Sequence, residues 1–188
     1  NSSLKNMYRM KGKYLRRHSV DRVIEEILLV KKGYPLEFIK FEDDLFASGA
    51  DEWLEKFVSE YYKKIGIPFN CLLRVDNVTE EMGSLLKEGG CHSVTMSIDA
   101  GNPDFRKKIL KRNMSNTTIV QAFNIFFKHG IKTMSNNIIG LPYSTLENEI
   151  ETIDLNIKSS VDYANFTILM PYPRTEIGNY CMEKEIFK

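Results

Sequence analysis

The chain has 188 residues, a length that suits one domain with a substantial buried core. Its 26 basic and 25 acidic side chains leave a formal net charge of +1, which excludes the strong positive field typical of proteins that bind nucleic acid or anionic membranes. Apolar residues make up 43% of the chain, but no apolar run approaches the roughly 20 residues that a membrane-spanning helix requires. We therefore expect a soluble protein with no nucleic-acid partner and no membrane span.

The cysteine pattern indicates a reducing environment. Cys71, Cys91 and Cys181 are odd in number and far apart, so they form neither a disulfide framework nor a C-x-x-C metal pair. The three histidines are isolated from one another and from these cysteines, which argues against a zinc site. We predict a cytoplasmic location and no metal bound by this chain's own residues.

Helical and strand-like periodicities alternate along the sequence, which predicts βα units that build a parallel sheet. Amphipathic stripes behind capping residues mark the helices, and short apolar runs that end at Gly, Pro or Asp mark the strands. In chain order we predict long helices near 19–33, 54–65, 79–89, 119–130 and 144–158, a short helix ending near 110, and strands at 37–41, 69–74, 92–98, 131–139 and 163–170. Since no Gly/Ser linker or charge block interrupts them, residues 1–188 are predicted to form a single domain.

The predicted order begins with a helix, whereas a barrel of βα units begins with a strand. With five strands and at least five long helices, this order suggests that the opening strand of such a barrel lies upstream. The opening residues Asn1, Ser2 and Ser3 include no methionine and no signal segment, which also favours an upstream start. We expect the strand at 37–41 to lie at an exposed sheet edge, and hence marginal stability or pairing with another chain.

Polar residues follow every predicted strand at the end where reactive groups gather in parallel α/β folds. These strand-end residues are Glu42, Asp43, Asp44, Arg74, Asp76, Ser97, Asp99, Asn136, Asn137, Gly140, Pro171, Tyr172 and Arg174. Any one of them is more often a helix cap or a turn former than a ligand contact. As a ring at one barrel mouth, where buried polar groups need partners, they favour a polar small-molecule ligand.

Six runs of sequence at or near these strand ends occur in a characteristic order. They are FEDDLF at 41–46, RVD at 74–76, GCHSVTMSIDAGN at 90–102, LKR at 110–112, NIIGLP at 137–142 and PYPRTE at 171–176. Each run is weak alone, but the ordered set is specific and extends over nearly the whole chain. The set resembles the radical S-adenosylmethionine superfamily, in the branch whose members often carry an upstream cobalamin-binding domain.

The resemblance implies a partial (β/α)6 TIM-like barrel of parallel strands, whose first strand and cluster loop lie upstream of this chain and whose top binds S-adenosylmethionine. In that family a 4Fe–4S cluster, held by a C-x-x-x-C-x-x-C loop after the first strand, reductively cleaves the sulfonium to a 5′-deoxyadenosyl radical. Implied partners are a small organic substrate, a reductant such as flavodoxin or ferredoxin, and cobalamin on an upstream domain. Methyl transfer or ring closure would be the outcome. Because this sequence lacks the cysteine motif, the resemblance implies that the chain begins just after it.

The resemblance also assigns residues to the methionine and ribose parts of the site. Glu42, Asp43 and Asp44 stand at the family's turn that contacts the methionine amine, although the glycines of that turn are absent here. Ser97 and Asp99 match the strand end whose carboxylate accepts hydrogen bonds from the ribose hydroxyls. Aspartate replaces the commoner glutamate at that position.

Further residues complete the implied pocket. Arg112 matches a basic residue that pairs with the methionine carboxylate, for which a planar guanidinium is suited; alternatively it is a solvated arginine in the basic run 106–112. Asn136 and Gly140 fall on the segment that lies against adenine, where glycine lets the backbone come close. Met170 belongs to the segment that completes the adenine pocket, and Arg74 is assigned to the substrate.

Two other functions fit parts of the sequence. Asp43 and Asp44 as paired carboxylates would suit a β/α-barrel hydrolase or lyase, although no Lys or His stands at a strand end. The chain would alternatively be an inert scaffold or docking fragment, because it lacks cluster ligands.

Overall fold

A computed structural model describes residue 9, residues 11–12 and residues 16–186. Asn1, Ser2 and Ser3, which entered the prediction of an upstream start, lie outside the described residues. Five parallel strands pair in sequence order and curl into a half-barrel. This confirms the predicted α/β class and the partial TIM-like barrel. No helix in the described part of the chain is long and apolar enough to cross a membrane.

Helices follow the strands along the chain, as βα units require. The strands are β1 (Ile39–Lys40), β2 (Phe69–Leu73), β3 (Cys91–Asp99), β4 (Lys132–Ile139) and β5 (Tyr163–Ile168). The helices are α1 (Val20–Gly33), α2 (Glu52–Lys64), α3 (Glu80–Glu88), α4 (Pro103–Lys108), α5 (Asn116–Lys128), α6 (Leu146–Lys158) and α7 (Glu176–Glu183), and a 3-10 turn spans Val75–Asn77. β1 is shorter than predicted and lies at one end of the sheet order, and α7 was not predicted.

The helix starts are fixed by side-chain caps. Ser19, Asp51, Thr79 and Ser115 each accept a hydrogen bond from the backbone N–H three residues further on. Such a bond satisfies one of the amide groups that the first helical turn leaves without an intrahelical partner. Each cap follows a strand or loop closely, so it sets the direction in which the chain leaves the barrel mouth.

The two faces of the sheet differ in polarity. In β3, Val94, Met96 and Ile98 are almost fully buried under the helices and alternate with polar residues, as the two-residue period of a strand requires. The polar residues face the inside of the half-barrel, where Asn70 of β2 donates hydrogen bonds to Ser93 (3.0 Å) and Thr95 (3.3 Å). The sheet therefore packs an apolar outer face against the helices and leaves a polar concave face.

An aromatic cluster anchors the loop that follows β1. Phe41 and Phe46, at the two ends of this loop, have ring centroids 5.0 Å apart, and both pack edge-on against Phe57 of α2. The backbone N–H of Phe46 also donates to the carbonyl of Leu72 in β2, at 3.0 Å. The acidic residues between the two phenylalanines are thus held at the carboxyl end of the sheet.

Candidate functional site

A small cleft opens at the carboxyl ends of the strands. Its volume is about 80 Å³, and it is lined by Asp44, Arg74, Ser97, Arg112 and Asn136 together with residues 72–73 and 95–96. Ser97 and Asn136 are register partners in neighbouring strands, so both side chains lie on the concave face. Residues from the loop after β1, from the strand ends and from the loop after α4 therefore meet here.

Asp99 ends β3 in an unusual conformation beside this cleft. Its φ of 67° lies in the left-handed region, which aspartate tolerates better than most residues, and the β3–β4 register shifts between Ser97 and Asp99. The residue is 8% exposed, and its Oδ2 lies 3.3 Å from Nε of Arg112. Among the described residues neither atom has a partner in hydrogen-bond geometry. A buried acceptor and a buried donor therefore face each other as an ion pair without a hydrogen bond.

Opposing influences act on the Asp99 carboxylate. Burial raises its pKa above the usual value for aspartate, and the positive charges of Arg112, Arg106 and Arg74, with a hydrogen bond from Ser97, lower it. Burial is the larger effect, so the pKa stays raised. Hydroxyl donors from a ligand would stabilise the ionised form, because they would replace the hydration that the carboxylate has lost.

The raised pKa of Asp99 predicts how stability changes with pH. When the folded pKa lies above the unfolded value of about 4, the unfolded chain releases this proton first as pH rises. The unchanged chain should therefore lose stability relative to Asp99→Asn from about pH 4 upward through the folded pKa, and the difference should level off above it. Urea unfolding of both proteins across this range measures the difference. A difference that moves the opposite way would mean that the arginines outweigh burial.

Arg74 lines the cleft but is already paired. Its Nε donates to Oδ1 of Asp76 at 2.9 Å and its Nη2 to Oδ2 at 2.6 Å, a two-pronged ion pair. This hydrogen bonding is the main cause of the raised pKa of Arg74 and of the lowered pKa of Asp76. A substrate anion bound by Arg74 would have to share the guanidinium with Asp76.

Four predicted site residues do not line the cleft: Asp99 lies beside it, and Asp43, Gly140 and Met170 lie elsewhere. Asp43 opens into a separate cavity of about 380 Å³ lined also by Trp53, so it does not share a cavity with Asp44. Gly140 has a φ of 73°, which glycine adopts without strain, and its N–H donates to Oε1 of Glu149 at 3.0 Å. Met170 is 69% exposed. The structure therefore gives no support to a paired-carboxylate site at Asp43 and Asp44.

Sequence reasoning missed Arg106. The sequence places Arg106 in the basic run 106–112, for which solvent exposure was the alternative prediction, but its side chain is completely buried. The sequence held one sign of this burial. Arg106 lies three residues before Ile109, so both residues fall on the same helical face, and Ile109 packs against a buried apolar cluster. Lys108, in the same run, forms an exposed ion pair with Asp104, as expected of a solvated helix face.

A family model describes most of this chain. The model of the Radical SAM superfamily matches residues 6–155. The chain belongs to the radical SAM superfamily. The matched range includes Asp44, Asp99 and Arg112, and thus most of the cleft at the strand ends.

Curated relatives of this radical SAM chain are named as methyltransferases. An uncharacterized methyltransferase of Pyrococcus horikoshii is 31% identical over 175 residues, which are 93% of this chain and 38% of that protein. Cytidylyl-2-hydroxyethylphosphonate methyltransferase of Streptomyces wedmorensis is 28% identical over 158 residues, which are 81% of this chain and 28% of that protein. The chain therefore spans well under half the length of these relatives.

A solved structure shares the fold. The radical S-adenosylmethionine methyltransferase TsrM of Kitasatospora setae, solved with cobalamin and a 4Fe–4S cluster bound, superposes with a TM-score of 0.74 and 18% identity. The match covers 90% of this chain and 32% of TsrM. At this identity the likeness shows the half-barrel fold, into which the cleft described above is built.

The cysteines of this chain do not fit an iron–sulfur cluster. Cys71, Cys91 and Cys181 are all buried, and burial raises the pKa of Cys71 well above that of a free thiol. Their spacing along the chain also differs from that of a C-x-x-x-C-x-x-C cluster loop. Within residues 16–186 the structure brings no three His, Cys, Asp or Glu side chains into a metal-binding group.

Proposed function

We propose that this chain forms the S-adenosylmethionine-binding core of an enzyme that reductively cleaves S-adenosylmethionine and starts radical chemistry on a small organic substrate. The observation that carries the proposal is the buried pair of Asp99 Oδ2 and Arg112 Nε, which face each other without a hydrogen bond at the barrel mouth. An acceptor for ribose hydroxyls and a donor for a carboxylate are what the two ends of this ligand need.

The proposed roles follow from where the side chains lie. Asp99 accepts hydrogen bonds from the two ribose hydroxyls, and Arg112 exchanges part of its contact with Asp99 for the methionine carboxylate. Asp44, which lines the same cleft, takes the methionine amine. Ser97 and Asn136 also line the cleft, and their uncharged side chains orient the ligand without competing for its charges.

Methyl transfer is the favoured reaction class. Two relatives are named as methyltransferases, and they align with 93% and 81% of this chain. We assign the 4Fe–4S cluster, a cobalamin-binding domain and the docking site for a flavodoxin or ferredoxin to parts of the polypeptide other than residues 16–186. The family model supports a radical SAM core in this chain, because the residues that it matches include those that line the cleft.

The proposal is tested in the full-length polypeptide that contains this chain. After anaerobic reconstitution with iron and sulfide, we expect the visible charge-transfer absorption of a 4Fe–4S cluster. Reduction in the presence of S-adenosylmethionine should then yield 5′-deoxyadenosine. Asp99→Ala in the same protein is the matched control, because it should leave the cluster absorption intact and remove the product. If the unchanged protein binds the cluster but forms no 5′-deoxyadenosine, the proposal is contradicted.

A further inference from the structure

Arg106 is a buried cation that forms no ion pair with an acidic side chain among residues 16–186. Its side chain is completely buried, and the nearest candidate partner, the Asp99 carboxylate, forms its ion pair with Arg112 instead. Burial lowers the pKa of Arg106, and the charge of Asp99 raises it. A buried charge is costly unless hydrogen bonds compensate it, so the buried guanidinium of Arg106 must be stabilised by hydrogen bonds.

The guanidinium of Arg106 is held by oxygens on two sides of a loop. On one side Nη1 donates to the carbonyl of Ala100 and, at 3.5 Å, to that of Gly101. On the other side Nε and Nη2 donate to the carbonyl of Met114 at 3.0 and 2.8 Å, and Nη2 also donates to Oδ1 of Asn116 at 2.5 Å. The planar fork of arginine suits such a multiple contact, which an ammonium group could not make in full.

The two sides of this loop carry the two proposed ligand-binding charges. Ala100 directly follows Asp99, and Met114 lies two residues after Arg112. The carbonyl of Arg106 also accepts a hydrogen bond from the N–H of Arg112 at 2.8 Å. Lys111 has a φ of 54°, a conformation that costs energy for a lysine and persists only where the surroundings hold it.

We propose that Arg106 is a positioning residue for S-adenosylmethionine: it ties the backbone after Asp99 to the backbone after Arg112, and so holds their side chains at the spacing that the ligand's ribose and carboxylate require. The inference rests on the proposed function. It assigns no ligand contact to Arg106, which is completely buried and absent from the lining of the cleft.

The charge of Arg106 gives the proposal a second consequence. Asp99 faces Arg112 on the same loop, Arg106 on α4, Arg74 at the end of β2 and the Ser97 hydroxyl on its own strand, and these lower its pKa against the effect of burial. Removal of the Arg106 charge should therefore raise the pKa of Asp99 further. Ribose binding needs the ionised carboxylate, so it should then be lost at a higher pH than in the unchanged chain.

The test is calorimetric titration of the reconstituted full-length polypeptide with S-adenosylhomocysteine, which carries the same ribose and the corresponding amino-acid carboxylate, over a range of pH. Arg106→Lys keeps the charge but loses the fork, and we expect about tenfold weaker binding with an unchanged pH midpoint. Arg106→Gln should bind at least as weakly and should shift the midpoint to higher pH. Arg22→Gln is the control, because it removes an exposed arginine that pairs with Glu26, and it should change neither quantity.

The outcomes separate the two proposals. If the unchanged full-length protein does not bind S-adenosylhomocysteine, the proposed function and this inference both fail. If the unchanged protein binds the ligand and Arg106→Lys binds it equally well, only the inference about Arg106 is overturned. The inference is also overturned if Arg106→Gln weakens binding without moving the pH midpoint. If circular dichroism shows that Arg106→Gln does not fold, the binding affinities of Arg106→Lys and Asn116→Ala test the inference instead. Asn116→Ala removes one acceptor, and we expect about threefold weaker binding.

Discussion

Replacement of Gly101 by alanine should destabilise the chain by about 3 kcal/mol or more, because overpacking against backbone atoms has no cheap relaxation. A Cβ at Gly101 would collide with the carbonyl of Glu151 and lie 2.5 Å from the backbone nitrogen of Thr152. Both belong to the backbone of α6, so neither can rotate away as a side chain would. The N–H of Gly101 also donates to Oγ1 of Thr152 at 2.9 Å, and the collision would break this bond.

Gly33→Ala is the matched control for this substitution. Gly33 is the last residue of α1, and an added Cβ there would meet no atom within 4 Å. Alanine in a helix is favoured over glycine by up to about 1 kcal/mol, so this variant should be as stable as the unchanged chain or slightly more stable. Urea unfolding followed by circular dichroism measures both variants. Equal midpoints for the two variants would contradict the close contact between Gly101 and α6.

The strands and their polar ends could be predicted because both depend on local chemistry. The apolar run of β3 was predicted at 92–98 and is found at Cys91–Asp99, and the polar residues that stop such runs necessarily lie at one edge of a parallel sheet. The helix starts at Ser19 and Thr79 could be predicted for the same reason, since a capping side chain bonds a backbone N–H within three residues of itself.

Features that depend on distant contacts could not be predicted. β1 was predicted at 37–41 but pairs over two residues, because the chain then turns inward so that Phe41 joins an aromatic cluster. Helix α7 was missed because its buried face has little more than Ile177 and Cys181, too few residues to show a helical period.

Details of the candidate site also depend on distant contacts and could not be predicted from the sequence. Which of two adjacent carboxylates lines the cleft depends on how the loop between Phe41 and Phe46 is anchored, so the sequence could not separate Asp43 from Asp44. Likewise, the sequence places Arg106 among solvated lysines, and only the loop that closes over it shows that it is buried. Burial of a charge among backbone carbonyls leaves no periodic signature in the sequence.

Loss of the Asp99 carboxylate should have the largest effect on ligand binding. We expect Asp99→Ala to weaken the binding of S-adenosylhomocysteine by about 100-fold, the loss of two hydrogen bonds to a charged acceptor. Folding should be retained, because Oδ2 of Asp99 makes no hydrogen bond in the described structure and burial disfavours its charge. Calorimetric titration at neutral pH, paired with thermal melting, measures the two quantities on one protein sample.

Asp104→Ala is the matched control for the charge. Asp104 lies five residues further along the chain, its side chain is 73% exposed and its partner is Lys108, so its removal changes the same net charge without touching the cleft. Binding by this variant should equal that of the unchanged chain. Unchanged affinity in Asp99→Ala would instead make Asp99 a turn former whose left-handed backbone merely ends β3. A large loss confined to Asp99→Ala would mean that the strain and burial at this strand end serve to present one carboxylate to the ribose.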